Sequence, residues 1–83
     1  MNYVVLWMPT AIDTLADTWM SAPDRDAITE ASQRIDILLA THPLDVGESR
    51  DADRRIVFDP PIQVLYRVLS FPQRVEVLSV ARF

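Results

Sequence analysis

Apolar residues recur along this 83-residue chain at two different spacings, and the change from one to the other divides it. Between Ala11 and Leu39 they fall three and four apart, the period of a helix with one covered face. Between Arg54 and Arg82 they gather into three runs of five to nine residues, Arg55–Asp59, Ile62–Ser70 and Arg74–Arg82. These runs are rich in β-branched and aromatic types and are separated by Pro60-Pro61 and by Phe71-Pro72-Gln73. Such runs bounded by proline are strands, and short connections make neighbouring strands antiparallel, so the spacing predicts a three-stranded meander. In the middle run Ile62, Val64, Tyr66 and Val68 share one face and Gln63, Leu65, Arg67 and Leu69 the other. The last run changes phase between Val77 and Leu78. Either it is covered on both faces, or a bulge there re-aims its side chains.

The first half is predicted in more detail by its punctuation. Tyr3–Trp7 is a short apolar run and a strand, broken by Pro9-Thr10. Thr10 with Asp13 three residues on resembles a capping box, which starts a helix over Ala11–Met20. Its stripe is Ile12, Leu15, Ala16 and Trp19. Ser21 to Asp24 is a turn, with Pro23 suited to the first turn of a second helix. There Ala27, Ile28, Ala31, Ile35, Leu38 and Leu39 form one stripe across four turns. The helix ends at Thr41-His42-Pro43, because a residue before proline is pushed out of helical geometry. The two helices form an antiparallel hairpin. Residues 43–53 are loop and hold Gly47, the one glycine of the chain, which marks a positive φ.

The order is therefore β-α-α-β-β-β. The expectation is an α+β domain spanning 1–83, with a two-helix hairpin on one face of a mainly antiparallel four-stranded sheet. Trp7 and Trp19 are expected in its core, with an aromatic groove for a partner as the sharper reading.

Composition narrows the chemistry. The chain lacks cysteine and has a single histidine, so neither a disulfide frame nor a thiolate or transition-metal site is predicted. No cofactor is implied. The opening MNYVVLWMPT lacks the basic flank of a signal peptide, and no run approaches a membrane span, which predicts a cytoplasmic protein without a membrane partner. The formal net charge is −4, unevenly placed. Residues 1–46 hold two arginines against seven acids, whereas residues 47–83 hold six arginines against five acids. With no lysine at all, contact with nucleic acid would rest on a local arginine face. The expected members are Arg50, Arg67, Arg82 and one of Arg54 and Arg55, since alternation sends that pair to opposite faces.

Several segments together resemble the RelE/ParE superfamily of bacterial type II toxins. They are the strand ending in Trp7, the hairpin with Trp19, IDILLATHP at 35–43, the G-E-x-R segment at 47–50, and Arg54-Arg55-Ile56 leading to VLYRV at 64–68. The resemblance implies a toxin held inactive by a cognate antitoxin. It also implies a target: the ribosome and its mRNA for RelE-like nucleases, or DNA gyrase for ParE-like members. By this resemblance Gln63 stands where the nucleases carry an arginine three residues before the middle-strand tyrosine. The terminal histidine or tyrosine of the nucleases is replaced by Ala81, Arg82 and Phe83.

RNA cleavage requires a base, an acid and positive groups for the phosphate. Glu48 is the candidate base and Tyr66 the candidate donor, with Arg50, Arg55 and Arg82 completing the candidate catalytic set as phosphate ligands and Arg54 and Arg67 as further phosphate ligands. The plainer readings are a solvated loop acid for Glu48 and a core aromatic with a tethered hydroxyl for Tyr66. His42, at a helix C-terminus, is a satisfied end residue. The function expected is a toxin acting by binding a gyrase-like target. The alternatives are a ribosome-dependent mRNA endonuclease and a non-catalytic interaction module on the same fold.

Overall fold

The computed structural model describes residues 2–51 and 53–83; Ala52, within the expected loop, lies outside the described residues. In chain order the elements are β1 (Val4–Trp7), α1 (Pro9–Ser21), α2 (Arg25–Thr41), β2 (Glu48–Ser49), β3 (Arg54–Asp59), β4 (Ile62–Ser70) and β5 (Gln73–Arg82). The strands form one sheet in the order β1-β5-β4-β3-β2. The expected meander is present as antiparallel β3, β4 and β5. β1 joins β5 in parallel, with Val5 opposite Val75 and Trp7 opposite Val77.

The sheet has five strands, not four. β2 is the addition, pairing Glu48 with Ile56 and Ser49 with Arg55. Two residues are too few to show a period of two. The phase change in β5 has both causes weighed from sequence: β5 lies between β1 and β4, and Leu78 is an extra residue where the register passes from Val77–Tyr66 to Ser79–Leu65.

β4 is buried on one side by alternation, with Ile62, Val64 and Tyr66 at 0% exposure. Over that face lie Ile28, Ala31, Ile35 and Leu39 of α2, the buried members of the predicted stripe. Burying side chains of this size contributes about 1.5–3 kcal/mol each. Two ion pairs fix α2 to the sheet. Arg34 donates to Asp59 at 3.0 and 2.9 Å, and Arg82 to Asp24 at 2.8 Å. At the other end the Tyr3 amide donates to the Ala40 carbonyl at 2.7 Å.

α1 departs from expectation in two ways. It starts at Pro9, whose missing N–H and fixed φ suit the first helical position, so Met8 is the N-cap and Thr10 lies inside the helix. The Thr10–Asp13 capping box does not form. The face expected in the core is also largely outside it. Ala11 is the buried residue of α1, while Ile12 is 52% and Trp19 38% exposed. Trp19 is instead held at the helix junction, its indole donating to Thr29 Oγ1 at 3.0 Å with the Arg25 guanidinium 4.8 Å above the ring. Arg25 also donates to the Trp19 and Met20 carbonyls at 3.1 and 2.7 Å, satisfying the C-terminus of α1. Pro23 precedes α2 rather than opening it.

Gly47 has φ +76°, and a Cβ there would lie 2.5 Å from the Ile56 carbonyl oxygen and 2.9 Å from the Tyr66 hydroxyl. Gly47→Ala should therefore lower stability by about 1–3 kcal/mol, read as a lower urea midpoint at unchanged slope. Trp19→Ala should cost less than the about 3–5 kcal/mol of a core tryptophan, since its ring is part-exposed and its neighbours can close over the gap; the same titration measures it.

Candidate functional site

The five candidate catalytic residues do not converge on one face. Tyr66 is fully buried beneath the helices. Its hydroxyl lies 2.8 Å from the Pro43 carbonyl oxygen and 2.7 Å from that of Val46, and its one proton is committed there. Burial pushes the phenol above its ordinary value of 10.0, and the neighbouring Arg55 guanidinium works in the opposite direction. This is the tethered core aromatic of the plainer reading.

Arg55 pairs with Tyr66 across the β3–β4 ladder, so it points to the helix side. It donates to the Val46 and Gly47 carbonyls at 3.4 and 3.2 Å and to Ser49 Oγ at 3.1 Å. Arg82 is held by Asp24, whose carboxyl sits below its usual range because of that bond. Glu48 and Arg50 face each other at 3.3 Å on the exposed β2 edge. His42 caps α2, its amide donating to the Leu38 carbonyl at 2.7 Å.

The open face of the sheet carries a different set. Arg54 stands opposite Arg67, and Arg67 opposite Glu76. Glu76, 7% exposed, accepts from Arg67 Nε at 2.7 Å and forms an ion pair with Arg74 at 3.1 Å. Of the arginine face expected from sequence, Arg67 and Arg54 are on this side, while Arg55 and Arg82 are not. Arg74 joins them through the shared carboxylate: Arg74 and Glu76 are two apart on β5 and so share a face by alternation, while the share of Arg67 depends on the strand register. Gln63, further along β4, lies opposite Phe58 and Ala81. Phe58 meets Phe83 edge to face at 5.4 Å, so this part of the face is apolar.

An apolar concave feature lies between the helices. A depression of about 620 Å³ is lined by Trp7, Ile12, Leu15, Ser32, Gln33, Asp36 and Ile37. A second, about 330 Å³, shares Ile12, Leu15 and Ser32 with it and continues to Ala16, Trp19 and Met20. Together they make one groove along the α1–α2 seam. Ile37 is 63% and Met20 64% exposed. The sequence held one signal of this: Ile37 is apolar yet off the buried stripe of α2. Among the described residues no group of three or more His, Cys, Asp or Glu side chains could hold a metal, and no helix is long and apolar enough to cross a membrane.

No protein-family model matches the chain, and no curated protein does. Solved structures do. A chain of the toxin–antitoxin complex RelBE2 from Mycobacterium tuberculosis superposes with a TM-score of 0.81 at 23% identity, covering 100% of this chain and 93% of that one. The chromosomal ParDE system of P. aeruginosa gives 0.74 at 14% identity, covering 98% and 96%. A mutant of the E. coli toxin RelE in the free state gives 0.71 at 15%, covering 99% and 84%.

The chain has the RelE/ParE toxin fold. In this RelE/ParE fold the groove is formed by the helical hairpin and the arginines by the opposite face of the sheet, so the two surfaces lie on opposite sides of the molecule.

Replacing Tyr66 by Phe should cost about 1–3 kcal/mol, because the Pro43 and Val46 carbonyls lose their donor. The raised phenol has a further consequence. Its contribution is complete below about pH 10, the unfolded value, and is lost as pH rises through the higher folded value. Wild-type stability should thus fall above pH 10 more steeply than that of Tyr66→Phe, as measured by denaturation across pH 8–11.

Proposed function

We propose that this chain is the toxin of a type II toxin–antitoxin pair, neutralised by a cognate antitoxin and acting by holding a protein target such as DNA gyrase. The observation that carries the antitoxin is the open apolar groove between α1 and α2 on this fold. Large exposed apolar surfaces mark sites of protein association, and a groove between helices suits an amphipathic helix. The structures that resemble the chain include toxin–antitoxin complexes and an E. coli RelE mutant bound to an antitoxin peptide.

Binding rather than cleavage is supported by the fate of the candidate catalytic groups. An acid must reach the leaving oxygen, and the Tyr66 hydroxyl is buried and occupied. Arg55 and Arg82 are committed to the loop and to Asp24. Gln63 is neutral, and loss of one group that stabilises transition-state charge typically costs about 10²–10³ in rate. The second reading, a nuclease, has one observation in its favour: Arg54, Arg67 and Arg74 on the open face.

The test is induced expression in a bacterial host without the antitoxin, with mRNA 5′ ends mapped. The expected result is growth arrest without new A-site-phased ends. Abundant phased cuts, lost in Arg54→Ala, would replace binding by cleavage. Normal growth would leave a non-catalytic interaction module.

A further inference from the structure

The groove sits in an acidic setting. Asp13 and Asp17 follow Ile12 and Ala16 along α1, and Asp36 lies in the groove wall, while Asp26 and Glu30 add exposed carboxylates elsewhere on α2. Among the described residues none of these five forms a salt bridge, although the Arg34 guanidinium is near enough to Glu30 to feel its charge. Asp36 Oδ1 accepts from the Trp7 indole at 2.8 Å, which orients it without neutralising it. The two helices carry only two cations, and both are engaged. Arg25 lies over Trp19 and caps α1, and Arg34 is bound to Asp59.

The floor sets the shape of an occupant. Between Ile28 and Ile37 it runs nine residues along α2, about 14 Å at the helical rise per residue. A helix laid along it presents apolar side chains at i, i+3 or i+4, and i+7, with its flanks beside Asp13 and Asp17 of α1 and Asp36 of α2.

We infer that the segment the groove receives is a short amphipathic helix, about three turns long, whose flanks carry Lys or Arg beside its apolar stripe. This rests on the antitoxin reading and adds the charge that reading leaves open. Acidic flanks would bring carboxylates against Asp13, Asp17 and Asp36, whereas cationic flanks meet them at rim distances where attraction also steers encounter. The acidic pole thus selects among helices that share one apolar pattern.

Three synthetic peptides test this by fluorescence anisotropy with the full chain. One has a leucine stripe at i, i+4, i+7 flanked by lysines. The second replaces the lysines by glutamates. The third keeps the lysines but scrambles the stripe. The expected result is binding of the first, at least about tenfold tighter than the second at low salt, with the gap closing as salt shortens the Debye length to about 3 Å at 1 M. Asp13→Asn with Asp17→Asn should narrow the gap, and Ile37→Ser, which leaves charge unchanged, should weaken the first peptide. Equal binding of the lysine and glutamate peptides overturns the charge inference and leaves the groove intact, and tighter glutamate binding does the same. Equal binding of the scrambled peptide reduces the effect to bulk charge and overturns it too. If no striped peptide binds, the groove reading fails, and the inference with it.

Discussion

One buried phenol organises the half of the molecule that departs from a plain helix-on-sheet design. Tyr66 sits at the middle of the central strand, fully buried, and its hydroxyl reaches the carbonyls of the segment that leaves α2. A tyrosine there must satisfy its hydroxyl within the protein, and loop carbonyls are the acceptors in reach. The bond draws the segment inward until Gly47 lies against Ile56, a position no Cβ can share. Arg55, the cross-strand neighbour of Tyr66, then finds three oxygen acceptors on the same segment. With the loop so held, Glu48 and Ser49 are delivered to the edge of β3, and the fifth strand follows. The Tyr66 hydroxyl and the Arg55 guanidinium are thus both engaged by this one segment.

What could be read from the sequence was what local periodicity encodes. The stripe of α2, the alternation of β4, the proline breaks of the meander and the positive φ of Gly47 each depend on a few adjacent residues, and each is found. The start of α1 was misread because two local rules competed. A Thr–Asp capping signal pointed to Ala11, but proline at the first helical position is compatible with an earlier start, and the chain takes it. The environment of α1 was beyond local rules altogether. Amphipathicity states that Ile12, Leu15 and Trp19 share a face, but the placement of the helix beside β5 decides what covers that face. The destinations of Arg55 and Arg82 were equally hidden, since their partners are set by loop placement and helix docking.

The uneven charge of the sequence becomes a difference between two sides of the fold. The helical side gathers carboxylates around an apolar seam. The open side of the sheet holds Arg54 and Arg67 directly opposite each other, a like-charge pairing that is unfavourable alone. Glu76 offsets it by pairing with Arg67 and Arg74 together, at the cost of desolvating a carboxylate that is nearly buried. The arrangement keeps cations on a surface remote from the acidic groove.

The groove has an energetic consequence for the free chain. α1 buries one alanine completely and otherwise rests on half-covered contacts, with Ile12, Trp19 and Met20 facing solvent. A domain of this length has little stability to spare, about 3–5 kcal/mol from a single core. Exposed apolar surface adds nothing to that margin until something covers it. A ligand that binds the folded form alone raises stability with the logarithm of one plus its concentration relative to Kd, about 2.7 kcal/mol at a hundredfold excess over Kd. A partner helix in the seam would cover the face that α1 leaves open and hold α1 against α2, completing a layer that the isolated chain leaves half built.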